Sequence, residues 1–363
     1  MTSLKYPSLI LDETIAKNNI KKMATKASKL GVKFRPHFKT HQSLEIGNWF
    51  RGYPLDGITV SSLKMAQSFA KNGWKSITIA FPVNILQLEE IDKLASEIDL
   101  RVLVVDEETV KQLDKKLTSN LNVYIEIDPG YGRSGISYSD PGNIQRLVSV
   151  INSSYKLTLS GLYSHAGHSY RSRSVKDIRQ LSSSVIEKLS QLKTQFEIPV
   201  CFGDTPSCSV LDDFGLIDEI SPGNFVFYDW IQTKIGSCTS KDIAVAMKCT
   251  VVAKYSSRHE LLIHGGAVHF SKDADITKDG ESYFGQVVKN RNTYWEDPIE
   301  GCYLNSISQE HGIVKCTENF FYEISIGDAI TILPIHSCLT ADLMGSYYTT
   351  TGRKISHLSE KII

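Results

Sequence analysis

The sequence predicts an α/β protein, a (β/α)8 TIM-like barrel followed by an all-β domain. Two observations carry that reading. Through about residue 240, short apolar runs alternate with amphipathic helical stretches, the pattern of a parallel sheet covered by helices. After about Lys241 the runs are β-rich, and no long helical pattern separates them. A third observation is negative: no glycine fingerprint of a dinucleotide fold follows the first strand, which weakens an open doubly wound sheet. A chain of 363 residues, 41% of them hydrophobic, can fill two cores of this kind. The expected boundaries are 10–240 for the barrel and 241–363 for the β domain, with residues 1–9 a candidate to pair with the latter.

The elements follow in order. Ser8-Leu-Ile-Leu-Asp12 is a short apolar run. A Lys- and Ala-rich helix capped near Asp12 or Thr14 runs to about Leu30, and Gly31 ends it. Lys33 to Gln42 reads as the next strand. Then come Gly57–Val60 (strand), Leu63–Asn72 (helix), Ser76–Phe81 (strand) and Gln87–Glu97 (helix). Leu100–Asp106 (strand), Glu107–Leu117 (helix) and Asn122–Asp128 (strand) continue the alternation. Leu157–Ser164 (strand), Val175–Phe196 (helix) and Val200–Gly203 (strand) complete it. Seven or eight such units close a barrel. In the β domain the clearest strands are Val245–Ala253, Glu260–His264 and Asp328–Leu333.

Composition narrows the partners. Forty basic residues balance forty acidic ones, which argues against nucleic acid or an acidic membrane surface as the main partner. The first residues hold no apolar signal-like core, and no run approaches a membrane span. Seven cysteines, none spaced Cys-x-x-Cys, argue against a disulfide framework or a zinc finger and fit a reducing cytoplasm.

The densest chemistry is Lys33-Phe-Arg-Pro-His-Phe-Lys-Thr-His-Gln42. At period two, Lys33, Arg35, His37, Lys39 and His41 share one face. Unpaired charge is costly away from water, so either an anion sits at the strand end or the face is a solvated basic edge. Further unusual loops follow strands: Asp128-Pro-Gly-Tyr-Gly-Arg-Ser-Gly135, Ser164-His-Ala-Gly-His-Ser-Tyr170, Gly203-Asp-Thr-Pro-Ser207 and Ser221-Pro-Gly-Asn-Phe-Val-Phe-Tyr-Asp229. Each alone could be an ordinary turn. Together they fall where barrel active sites lie, at the C-terminal ends of strands. Gly203–Ser207 and Pro222-Gly-Asn offer amides and hydroxyls suited to a phosphate. In Ile332-Leu-Pro-Ile-His-Ser-Cys338, His336 and Cys338 would share a strand face and could reach one ion, zinc by the softness of the donors. A packing histidine beside a buried cysteine is the bland alternative.

Arg35-Pro-His-Phe-Lys-Thr-His-Gln42 resembles the lysine motif of the D-serine dehydratase / D-threonine aldolase family, pyridoxal-phosphate enzymes related to alanine racemase. The resemblance covers nearly the whole chain and implies the alanine racemase N-terminal type of barrel. It implies that Lys39 is the Schiff-base lysine and that His165 stacks on the pyridine ring. Tyr170 would bond to the cofactor, and Thr205, Gly223 and Asn224 would hold its phosphate. Arg133 resembles the arginine that relatives place near cofactor and substrate carboxylate. His336 and Cys338 correspond to the family's metal pair, and His-x-Cys, in place of His-x-Asp, favours dehydratases over aldolases. Ser308-Gln-Glu-His-Gly312 resembles the family's Glu-His-Gly segment, which places Glu310 and His311 near the site.

Three positions depart from the pattern. Asp204 stands where the family often has serine, and a carboxylate would turn away from a phosphate. Ser221 stands where alanine racemases often carry arginine. His264-Gly-Gly-Ala-Val-His-Phe-Ser-Lys-Asp273 replaces an Asp-Ala-Gly-like segment. The activity implied is a pyridoxal 5'-phosphate- and Zn2+-dependent lyase that eliminates water and ammonia from a β-hydroxy D-amino acid, D-serine first, giving pyruvate. A D-threonine aldolase-type C–C lyase and an amino-acid racemase are the alternatives on this scaffold. A non-catalytic cofactor-binding protein is a third, which the β domain and the His-x-Cys pair disfavour. A cytoplasmic homodimer is expected from the resemblance, with His336 and Cys338 near the partner's lysine.

Overall fold

The computed structural model describes residues 6–277, 279–291 and 294–359. Residues 1–5 and 360–363, which fall within the expected boundaries of the β domain and its N-terminal addition, lie outside the described residues. The chain divides into two compact units. One comprises residues 22–39 and 50–223; the other comprises 1–21, 40–49 and 224–363.

The first unit is an eight-stranded parallel barrel. Its strands run Lys33–Phe34, Ile58–Val60, Ser76–Pro82, Asp99–Val104, Leu121–Asp128, Leu157–His165, Val200–Gly203 and Glu219–Ile220. The last pairs with the first, Glu219 opposite Lys33. The remaining seam, between the Lys33 segment and Ile58–Val60, is closed by one parallel bridge, His37 to Thr59. The apolar runs form strands because both faces are covered: Ile58–Val60 is buried throughout, as are Val123–Ile127. The crossover helices begin at side-chain caps. Ser62 accepts from the Met65 amide at 3.3 Å, Asp106 from Thr109 at 2.7 Å and Ser174 from Asp177 at 3.1 Å. The helix Pro141–Asn152, capped by Asp140, was not expected from the sequence; its apolar positions Ile144, Leu147, Val148 and Ile151 all face the core.

Polar groups thread the barrel interior. Arg35 is fully buried and donates from Nε to Glu219 at 2.9 Å, with Ser76 Oγ and the Asp56 carbonyl on its other nitrogens. Tyr124 donates to the other Glu219 oxygen at 3.2 Å. Arg35 therefore binds its own short strand to three neighbouring segments. This corrects the expectation that residues 33–42 are one strand with five basic side chains on a face. The strand stops at Phe34, the residue before last ahead of Pro36, which lacks an amide to extend the ladder, and residues 38–41 turn. Lys33 is exposed while Arg35, His37 and His41 are buried.

The second unit is an antiparallel barrel. Six strands close on themselves in the order Glu260–His264, His311–Lys315, Tyr294–Ile307, Gly285–Arg291, Ala329–Pro334 and Val245–Tyr255, with the last pairing back to the first. Ser8–Leu11 lies antiparallel to Val245–Tyr255 and parallel to Ser346–Thr349, so the N-terminal strand belongs to this unit. Met247, Cys249, Val251, Val287, Leu304, Val314 and Ile332 fill its interior. Its helices are short, the longest after residue 240 being Ser337–Met344.

Candidate active site

In the parallel barrel, chemistry gathers at the C-terminal ends of the strands. The segment carrying Lys39 is pinned by backbone bonds: Thr59 N to Pro36 O (2.9 Å), Phe38 N to Thr59 O (2.8 Å) and His37 N to Pro222 O (2.9 Å). The Phe38 ring anchors it further, packed among Phe50, Phe69 and Trp74 at 4.9 to 5.3 Å between centroids. Lys39 follows directly and is half-buried, with its amide donating to His37 Nδ1 at 3.3 Å. A lysine on so fixed a backbone loses little further freedom when it takes up a ligand.

His165 ends the Leu157–His165 strand, and its Nδ1 donates to the Gly203 carbonyl at 2.6 Å. That bond leaves Nε2 without the proton in the neutral ring. Desolvation, then the Lys39 and Arg133 cations, hold its pKa down at about 3, so the ring is neutral throughout the physiological range. Lys39 and Arg133 are thus both near enough to His165 to act on its charge state. Arg133 is exposed and lies over the Tyr131 ring at 5.6 Å. Its loop is shaped by Asp128, whose Oδ1 accepts from the amides of Gly130, Tyr131 and Gly132.

Tyr170 accepts at its hydroxyl from the Thr205 amide, 3.4 Å away. Asp204 is the cap of the helix Thr205–Val210, accepting from Ser207 N at 2.7 Å and from Ser169 Oγ at 2.8 Å. Burial raises its pKa to about 6. The residue that departs from the family's serine is thus committed to a helix cap. Gly203 passes so close to the next strand end that a Cβ there would meet the Ser221 carbonyl at 2.6 Å. Only glycine permits that approach. Ser221 in turn donates to Thr59 Oγ1 at 2.8 Å, one strand from the lysine segment. Tyr170 and Thr205 thus bring a hydroxyl and an amide together just past the Gly203 strand end, groups of the kind a phosphate ester takes.

In the antiparallel unit, the expected strand geometry of the metal pair is corrected. The Ala329–Pro334 strand ends at the proline; His336 is the cap residue of Ser337–Met344, and Cys338 is in that helix's first turn. The two side chains nevertheless meet. His336 Nδ1 faces Asp273 Oδ2 at 2.5 Å, and the ring also hydrogen-bonds Cys338. Desolvation opposes a charged ring, but Asp273 and Cys338 outweigh it and lift the His336 pKa well above its ordinary value. Burial pushes the Cys338 thiol up, and His336 more than reverses this, leaving it lowered. A cysteine sulfur beside a histidine ring oriented by a carboxylate is a donor set that fits a borderline-soft cation able to displace their protons.

The surrounding bonds are built for this pair. Asn224 donates to Asp229 Oδ2 (2.7 Å), Ser337 Oγ (3.0 Å) and Cys338 Sγ (3.4 Å), while its own Oδ1 is buried without a hydrogen-bond partner. The Asn224 side chain is therefore engaged with the Cys338 region. Cys338 Sγ also lies 3.3 Å from Thr40 Oγ1 of the same chain. Asp273 and Asp229 were missed in the sequence. Asp273 closes the departing segment that begins at His264, and nothing in its spacing from His336 pointed to the contact. Glu310 lies against His264 and His269, and His311 sits opposite His264 in the strand register.

Comparison with known proteins agrees with both halves. Residues 12–229 match the family described as alanine racemase, N-terminal domain, and residues 244–350 match the putative serine dehydratase domain. D-serine dehydratase of Dictyostelium discoideum is 31% identical, covering 96% of this chain and 94% of that protein. D-threo-3-hydroxyaspartate dehydratase from Delftia sp. HT23 has the same fold, with a TM-score of 0.89 at 23% identity over 98% of each chain. One structure of a variant of that enzyme is described as the metal-free form. D-threonine aldolase from Filomicrobium marinum superposes with a TM-score of 0.83 at 20% identity, over 98% of this chain and 95% of that one.

Proposed function

The chain belongs to the D-serine dehydratase family of alanine-racemase-like enzymes, and from that premise we propose that it dehydrates D-serine to pyruvate and ammonia with zinc held by His336 and Cys338. It is a pyridoxal-phosphate-dependent lyase of β-hydroxy D-amino acids. When bound, the cofactor supplies the electron sink that makes the substrate's Cα proton removable.

The chain's residues supply position and proton transfer. Lys39 would carry the cofactor and, once the substrate amine has taken its place, would accept the Cα proton at Nζ. His165, neutral in this structure, would lie against the cofactor ring and add no positive charge there. Thr205, Gly223 and Asn224 would hold the phosphate, and Tyr170 would bond to the cofactor. Arg133 receives the substrate carboxylate through its forked donors. His336 and Cys338 would hold the metal, which supplies Lewis acidity for a leaving β-hydroxyl. The β-hydroxyl would leave as water, taking up the equivalent of the proton that Lys39 removed from Cα, and the released enamine would hydrolyse with a second water to the keto acid and ammonia. A homodimer accompanies this reading on the family resemblance, and a cytoplasmic location on the cysteine usage.

The observation that carries the choice of dehydration is the pairing of His336 with Cys338, with Asp273 holding the histidine ring. The test is pyruvate formation from D-serine by purified protein, before and after chelation. Pyruvate that vanishes on chelation and returns with zinc supports the reading. Activity that survives thorough chelation removes zinc from it. Glycine and acetaldehyde from D-threonine, without pyruvate from D-serine, would move the assignment to the aldolase alternative.

A further inference from the structure

His264, His269 and Glu310 have no role in the reading above, although the helix carrying His269 packs on the one carrying Cys338 through the bond from Thr340 Oγ1 to the Phe270 carbonyl. His264 ends the Glu260–His264 strand, and His269 lies in the short helix Ala267–Phe270 that follows. Glu310 sits in the turn before His311–Lys315, the neighbouring strand. Backbone bonds hold the helix against this turn: Gly265 N to Glu310 O at 2.9 Å and Ala267 N to Ser308 O at 2.7 Å. A Cβ on Gly266 would collide with the carbonyls of Ser308 and Gln309. The glycine pair is therefore what allows the two histidines and the glutamate to converge.

We propose that His264, His269 and Glu310 form a second metal site, distinct from His336 and Cys338, for a divalent transition cation such as zinc. Their donor atoms lie within 4.8 Å of one another. Glu310 Oε2 is 3.4 Å from His264 Nε2 and 3.7 Å from His269 Nε2. Those separations are long for hydrogen bonds, which cluster below about 3.2 Å. They match a shared cation: bonds of about 2.0–2.1 Å at tetrahedral angles put neighbouring donors about 3.4 Å apart. Two imidazoles and a carboxylate are a donor set that zinc takes when it keeps a position for water or substrate. His264 and Glu310 are about half exposed, with side-chain values of 47% and 48%, so a cation can reach them from solvent.

Binding has one local consequence. His269 Nδ1 now accepts from the Gly266 amide at 3.2 Å. Coordination through Nε2 moves the ring proton to Nδ1 and releases that bond. The Gly266 amide then becomes a reporter of occupancy.

The experiment counts metal in the full-length protein with its cofactor bound. The protein is stripped with a chelator, loaded with Zn2+, desalted and analysed for zinc per chain by atomic emission. Wild type is expected to hold one zinc more than His264→Ala and one more than Glu310→Gln, with unchanged thermal melts of the metal-free proteins. The His336→Ala/Cys338→Ser variant is expected to keep that zinc. Wild-type counts unaltered in both His264→Ala and Glu310→Gln overturn the proposal. A zinc lost in those variants but retained in His336→Ala/Cys338→Ser supports this site whatever the D-serine assay gives. If either exposed-site variant folds poorly, Co2+ spectra of wild type decide. Tetrahedral bands that persist in His336→Ala/Cys338→Ser support the site, and their absence overturns it.

Discussion

At the scale of single residues, two side chains have roles that can be separated by experiment. Lys39→Ala should abolish turnover and also the visible absorbance of bound cofactor, since the same amine carries the cofactor and moves the proton. Retained absorbance with normal pyruvate production would remove Lys39 from its role. Asp273 is different: it touches His336 at 2.5 Å and fixes which ring nitrogen faces Cys338. Asp273→Asn should weaken metal affinity by about 10- to 100-fold while leaving the cofactor absorbance intact. A metal titration followed by competition with a chelator measures this, and an unchanged affinity would show that His336 is oriented without it. The lysine was legible in the sequence because its neighbours form a long run. Asp273 was not, because it meets His336 only through the fold, 63 residues along the chain.

At the scale of elements, the strand ends and their caps set the site. Gly203→Ala should impair cofactor retention and stability together, because the added methyl meets the Ser221 carbonyl at 2.6 Å and the two strand ends must separate. Spectroscopic cofactor titration beside a thermal melt would reveal an unaffected variant, and that result would mean the strand ends are not tightly coupled. The Asp204 cap has a pH signature. Its folded pKa is about 6 against an ordinary 3.8, so the folded state binds the proton more tightly than the unfolded chain does. Stability from this group is present below about pH 4 and is lost as pH rises through 6, roughly 3 kcal/mol in all. Asp204→Asn keeps a capping side chain and should flatten that part of the profile in denaturant unfolding at pH 4.5 and 7. An identical slope in both proteins would show that Asp204 titrates normally. Most helices and strands were readable from periodicity. The end of the Lys33 strand and the helix that begins at Ser337 were not, because alternation in a short run looks the same whether the chain extends or turns.

At the scale of the whole molecule, a buried ion pair holds the parallel barrel's shortest strands in place. Arg35 reaches Glu219, Ser76 and the Asp56 carbonyl, and the ladder between the Lys33 and Ile58 segments is a single bridge. Arg35→Met should cost about 3–5 kcal/mol, since it leaves the Glu219 carboxylate buried without its cation. Chemical denaturation measures it; a loss below 1 kcal/mol would mean that the barrel closes without this pair. Replacing Glu219 as well should recover part of the loss, because an apolar pair of similar volume carries no stranded charge.

The sequence by itself determined the two-part architecture, the order of most elements and the stretches from which a site would be built. Local patterning carries that information: periods of two and 3.6, glycine and proline in loops, and runs of uncommon residues such as Arg35 to Gln42. Tertiary structure decided how those residues are used. It buried Arg35 in an ion pair, kept His165 neutral beside two cations, made Asp204 a cap and brought Asp273 to His336. Each of these rests on groups far apart in the chain, and their charge states follow from desolvation and partners that exist only once the chain has folded.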